Sequence, residues 1–316
     1  MKHIAPPFSS FVSSLLVLML LAPFVEGLLS GDNLHSIIAS LIPLFILAVA
    51  QTLVLISGGI DLSLTAVLAL SSVAGAAVMQ SGASAPVAVA AMLLIGAGIG
   101  GANGVAVAAL RMPPFMVTLI SLTLFSGLAI WFTRSKNIAG LTPGFLVLGK
   151  NLAAAASTAA ICGTAIHLVL RYTVFGRWLY ACGLNRRTAR ASGVPVGRVT
   201  VGVYIAAGIL AAVSSVIYTA RLETGSPVLG QRQLLDVVGA AVIGGASLMG
   251  GRGGVLSALG GALLFTILDN ALNLVGLRHF QIMMVKGVVI LAAATLDSRR
   301  IRPTATTDVR VGVKPR

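Results

Sequence analysis

The chain has 316 residues, 57% of them hydrophobic and only 9% charged, which is too little polar surface to coat a water-soluble globule of this size; it is an integral membrane protein. Its 36 glycines and 5% aromatic share exclude an outer-membrane barrel, which needs aromatic girdles, and favour helices packed through small residues. The net charge of +14 sits in short loops and the tail, as the positive-inside rule requires, so nucleic-acid binding is excluded as well.

The expected fold is all-α, a polytopic transmembrane bundle of about ten spans. The first apolar run, 11–25, ends at Glu26 and Gly27 without a small-residue cleavage site, so it reads as a retained span. Further spans are expected at about 36–56, 61–80, 85–110, 114–132, 152–171, 199–220, 233–250, 254–275 and 280–296, each near the roughly 20 residues a helix needs to cross. With both termini cytoplasmic, Lys2, Arg111, Arg252, the six arginines of 171–198 and the six basic residues of the tail lie inside. Arg134, Lys136, Lys150, Arg221, Arg232 and Arg278 lie outside, and that bias sets the orientation. Residues 1–297 thus form the transmembrane domain, and 298–316 a basic cytoplasmic tail expected to be disordered against lipid. The weakest span is 233–250, where Gly239, Gly244, Gly245, Gly250 and Gly251 invite a break into half-helices or a re-entrant segment.

Several loops and polar positions could carry function. In Ile56-Ser-Gly-Gly-Ile-Asp-Leu-Ser63, Gly58 and Gly59 let the backbone leave the helix, and Asp61 or Ser63 can accept the orphan N–H groups of the next one. Ser57, Gly58, Gly59, Asp61 and Ser63 are therefore either a capped turn or the lining of a pathway or gate. Gly96, Gly100 and Gly104 share a helical face suited to close packing, and Asn103 beside them is either packing glue or a polar contact in the path. Pro113 and Pro114 open the next helix, after which Phe115 and Thr118 could face a lumen. Asp236 and Asp269 fall within the membrane, so they either serve function or pair internally with Arg232, Arg252 or Lys286.

No catalytic constellation is present. The sequence lacks G-x-x-x-x-G-K-[ST] and H-E-x-x-H, its four histidines are scattered, and Cys162 and Cys182 have no metal-ligand spacing. That leaves transport, with no cofactor in this chain. A proton-coupled carrier working through Asp61, Asp236 or Asp269 is one form it could take.

The loop 171–200 is the one long polar run between two apolar halves, and its segment between Gly183 and Gly193 suits a short helix along the cytoplasmic face, with Arg186, Arg187 and Arg190 crowding one side. Gly176-Arg177, Ala181, Gly183, Asn185, Ala189, Ser192 and Gly193 resemble the loop pattern of the ribose/xylose/arabinose-type permease subunits of bacterial ABC importers. Ser57–Ser63, Asn103-Gly104 with Pro113–Phe115 and Thr118, and Ile243–Gly253 with Asp236 upstream resemble the same family, in order, over about 40–297.

The resemblance implies a permease in the bacterial inner membrane that passes a monosaccharide of the pentose or hexose class. It also implies a second permease, identical or paralogous, a periplasmic sugar-binding protein, and a cytoplasmic ABC ATPase that binds the ATP and Mg. Gly183, Asn185, Arg186, Arg187, Ala189, Arg190, Ser192 and Gly193 would then form the ATPase-coupling helix, and a bulky acid at Ala189 should detach the ATPase. Asp236, Gly244 and Gly245 join the Ser57–Ser63 turn, Asn103, Phe115 and Thr118 as candidates for the path or gate. Relatives of this type also carry nucleosides or a signalling sugar, so those substrates stay open.

Overall fold

The computed structural model describes residues 8–300; Lys2 and most of the basic tail lie outside the described residues. The described residues form helices α1 (Phe8–Leu21), α2 (Gly31–Ile56), α3 (Leu64–Gln80), α4 (Ala85–Ala108), α5 (Pro114–Thr133), α6 (Pro143–Lys150) and α7 (Leu152–Tyr172). They continue with α8 (Val174–Leu184), α9 (Arg186–Ala191), α10 (Val196–Leu222), α11 (Leu234–Ile243), α12 (Val255–Leu274) and α13 (His279–Arg300). Among them α2, α4, α5, α7, α10 and α12 are long and apolar enough to cross a membrane. The other four expected spans correspond to shorter apolar helices, 11–21, 64–80, 234–243 and 279–292.

The expected span 233–250 is not one helix. Helix α11 stops at Ile243, and Gly244 to Gly254 run without helix through positive φ angles at Gly245, Gly250, Gly251 and Gly253. Glycine tolerates that conformation where a β-carbon would not; within the segment Gly244, Ala246, Ser247 and Gly250 are buried, while Leu248 and Met249 are exposed.

Helix α2 is the axis. Every residue from Ile42 to Ile56 is buried, so its apolar character all round reflects enclosure by other helices as much as contact with lipid. Helix α10 lies against it and against α4. On α4 the glycine face is used as expected: a methyl group at Gly96 would fall on the Gly208 carbonyl, and one at Gly100 on the Tyr204 carbonyl. Two backbones approach this closely only where β-carbons are missing. Hydroxyls add cross-links, with Ser214 donating to the Pro43 carbonyl at 2.9 Å, Ser215 to Leu68 at 2.8 Å and Thr219 to Ser72 Oγ at 2.7 Å.

The bundle has two distinguishable ends. At one, α8 and α9 form an arginine-bearing arm beside the α2–α3 turn. At the other, Asn33 and Asn270 exchange amide hydrogen bonds, and the Ile138–Gly225 bridge and the half-exposed Lys150–Glu223 pair close the surface.

Candidate functional site

The α2–α3 turn is built as the sequence suggests and then enclosed. Ser57 ends α2, Gly58 takes φ +79°, and Asp61 Oδ1 accepts the Ser63 backbone N–H at 2.8 Å and the Ser63 hydroxyl at 2.6 Å. The Asn103 amide of α4 donates to Ser63 Oγ at 2.8 Å and accepts from the Ser121 hydroxyl of α5. Thr118 donates to the Ile60 carbonyl at 3.1 Å. Asp61, Ser63, Asn103 and Thr118 therefore form one buried hydrogen-bonded seam across α3, α4 and α5. Thr118 turns into this seam rather than into an opening, whereas Phe115 is half exposed. Asp61 thus closes the turn ahead of α3 by bonding to Ser63, the residue that precedes the helix.

The arm is seated directly on that turn. Arg186 Nη2 donates to the Ser57 carbonyl at 3.3 Å, and Gly183 lies so close to the Ile56 carbonyl and the Gly251 amide that a methyl group could not be added. Gly251 donates its own N–H to Ile56 at 2.9 Å. Three segments distant in sequence, the end of α2, the end of α8 and the glycine-rich turn after α11, thus meet backbone to backbone. Gly244 and Gly245 belong to the same turn, and Gly244 sits against the Ser257 carbonyl of α12.

Asn185 caps α9, its Oδ1 accepting from Arg187 N at 2.9 Å and Thr188 N at 3.1 Å. Ser192 follows its last residue, and Gly193 exits at φ +80°. The expected crowding of Arg186, Arg187 and Arg190 on one side is only partly present. Arg186 and Arg190, four residues apart, share a face lining a hollow of about 350 Å³ with Arg111, Pro113 and Thr200. Arg187 points elsewhere and is exposed with Thr188, Ala191 and Ser192, while Ala189 is buried. Arg190 is exposed as well, so Arg187, Thr188, Arg190, Ala191 and Ser192 all reach the surface, while Ala189 faces the bundle. In the same arm, burial pushes the Cys182 thiol up in pKa and the charge of Arg186 opposes it.

At the far end Asp236 pairs with Lys286, whose Nζ stands 2.9 Å from Oδ1 and 3.0 Å from Oδ2. The same Nζ lies 2.5 Å from Asp269 Oδ1. Of the pairings open in the sequence, Lys286 is the one taken. Asp236 is thus held by an ion pair at the opposite end of the bundle from the Ser57–Ser63 turn. Sequence reading missed Tyr204, whose hydroxyl abuts Gly59, and Ser121, which completes the seam. Nothing in the sequence pattern distinguishes either from an ordinary helix residue.

The model of the family described as branched-chain amino acid transport system / permease component matches residues 33–294. The chain belongs to that permease family. Among relatives of this permease, the ribose import permease protein RbsC of Bacillus subtilis (strain 168) is 36% identical over 95% of this chain and 94% of its own. The ribose import permease protein RbsC of Escherichia coli (strain K12) is 34% identical over 92% and 93%. A metal-chelate-type ABC transporter solved in an inward-facing conformation shares the permease fold, with a TM-score of 0.50 at 16% identity over 93% of this chain and all of that one.

Proposed function

We propose that this protein is the membrane-spanning permease subunit of an ATP-binding-cassette importer and passes a monosaccharide of the pentose class, D-ribose first among them, into the cytoplasm. The observation that carries this reading is the likeness to ribose import permeases along nearly the full length of both chains. The arm supports it physically. A bundle with no nucleotide-binding motif of its own needs a contact through which an ATPase can move it, and α9 is a capped helix seated on the backbone of the α2–α3 turn.

In this reading the arm faces the cytoplasm, as its arginines favour, and Arg187, Thr188, Ala191 and Ser192 meet the groove of an ATPase that binds the ATP and Mg. A soluble sugar-binding protein delivers substrate to the far end, and a second permease copy or sister chain completes the path. The Ser57–Ser63 turn, Asn103, Thr118 and the Gly244-Gly245 turn form the part that moves, with Phe115 on its exposed side. The carboxylates a proton-coupled carrier would use are otherwise engaged, Asp61 in the turn with Ser63 and Asp236 and Asp269 on Lys286.

The test is purification of the tagged chain in mild detergent with identification of its companions, followed by reconstitution in liposomes. A stoichiometric P-loop ATPase and ribose uptake that requires ATP and resists a protonophore are expected. A chain that recruits no ATPase, or whose uptake collapses with the proton gradient, overturns the reading.

A further inference from the structure

The far end of the bundle contains a cavity of about 390 Å³ between α2, α10, α11, α12 and α13. This is within the range of small-molecule sites, which combine apolar walls with a few converging polar groups. Its walls include Phe265 and Tyr218, and its polar groups include Arg232, Gln233, Asp236, Asp269, Asn273 and Lys286. Exposure grades inward: the Asp269 carboxylate is 45% exposed, Asp236 13% and the Lys286 ammonium group's side chain 5%. The cavity therefore has a wet rim and a dry floor.

Two features say what it would hold. First, its permanent charges cancel, two carboxylates against Lys286 and Arg232, with His279 the remaining titratable group on the wall, so a net anion or cation gains little by entering. Second, it presents a buried acceptor that lacks a donor: Gln233 Oε1 has no hydrogen-bond partner among the described residues, while the neighbouring Asp236 carboxylate is already paired with Lys286. A buried acceptor without a donor is unfavourable, and a ligand rich in O–H groups would relieve it.

We propose that this cavity is a binding site for a neutral polyhydroxylated ligand, a monosaccharide, held within a single permease chain at the end opposite the arm. Sugar hydroxyls donate to Gln233 Oε1 and the rim carboxylate of Asp269, and accept from Arg232. The ring C–H face lies along the aromatic wall of Phe265 and Tyr218. The site rests on the importer reading for the choice of sugar, and its location is independent of that reading. It would be a waiting station beside the entrance, filled before the gate opens.

The experiment is equilibrium binding of radiolabelled D-ribose to the purified full chain in lipid nanodiscs, with ribose 5-phosphate as a charged competitor. Saturable binding is expected, poorly displaced by the phosphate, and weakened about tenfold or more by Gln233→Leu, since a site built to receive a hydroxyl discriminates by hydrogen bonding. Absence of saturable binding overturns the proposal, as does unchanged binding in a Gln233→Leu chain that melts normally. If Gln233→Leu melts early, Asn273→Ala at the exposed rim decides: weakened binding sustains the site and unchanged binding ends it. A reconstituted complex that takes up ribose while the chain alone binds none removes the cavity site and leaves the importer reading standing. A chain that binds ribose but recruits no ATPase does the reverse.

Discussion

Gly183 lies against the Ile56 carbonyl with no room for a β-carbon between them. The arm and the end of α2 are therefore in backbone contact, and Gly183→Ala must either push α8 away or distort the turn. Overpacking of this kind is destabilising by about 1–3 kcal/mol. Gly183→Ala is expected to lower the melting temperature modestly and to reduce ATP-driven uptake much more. Equal losses in both, scaling with the amount of folded protein, would assign Gly183 to packing alone.

The two alanines of α9 should behave oppositely. Ala191 is exposed and Ala189 buried, so Ala191→Glu should block ATPase association in a bundle that melts normally, whereas Ala189→Glu should unseat the arm itself. Cys182 reports on the second event. Buried, and with its pKa raised, it holds little thiolate at neutral pH. Maleimide labelling should be slow in the native chain and in Ala191→Glu, and faster in Ala189→Glu.

Removing the ammonium group at the far end should be severe. Lys286→Met leaves the buried Asp236 carboxylate without its partner, and breaking a buried pair in this way destabilises by about 3–5 kcal/mol. The half-exposed Asp269 adds less. The double variant Lys286→Met with Asp236→Asn should recover most of the loss in a thermal melt in detergent. No recovery would mean that the aliphatic stem of Lys286, not its charge, holds α13 in place.

Asn103 joins Ser63 to Ser121 across three helices. Asn103→Leu has similar bulk but strands the Ser121 hydroxyl, while Ser63 keeps its bond to Asp61, an effect of about 1–3 kcal/mol for the buried group left unsatisfied. A fall in unfolding midpoint with substrate preference unchanged is expected; a change in which sugar is taken up, with the midpoint unmoved, would place Asn103 on the path.

Much of this was legible in the sequence because membrane helices are long and apolar, and loop arginines reveal where they end. The glycine face of α4 could be read because a repeat of four needs only one helix to be interpreted. The pairing of Lys286 with Asp236 could be posed as a question but not answered, since Arg232 and Arg252 were equally admissible partners and only tertiary packing chooses. That Ala189 is buried while its neighbours are exposed could not be read in advance, because a six-residue helix is too short for its periodicity to show which side is covered. The meeting of Ile56, Gly183 and Gly251 leaves no trace in local pattern, being a coincidence of three backbones far apart along the chain.

The enclosure of α2 also bears on the order of assembly. A helix that ends up wrapped on every side is made second, and α10, which covers much of it, does not begin until Val196. In the interval the nascent α2 can rest in lipid, because the apolar run from Ile42 to Ala50 is as acceptable to acyl chains as to neighbouring helices. Its late polar pair, Gln51 and Thr52, is the part least suited to that wait. Translational pausing or a membrane insertase that shields the segment until α10 arrives should therefore raise the yield of folded protein more than any change in the finished bundle.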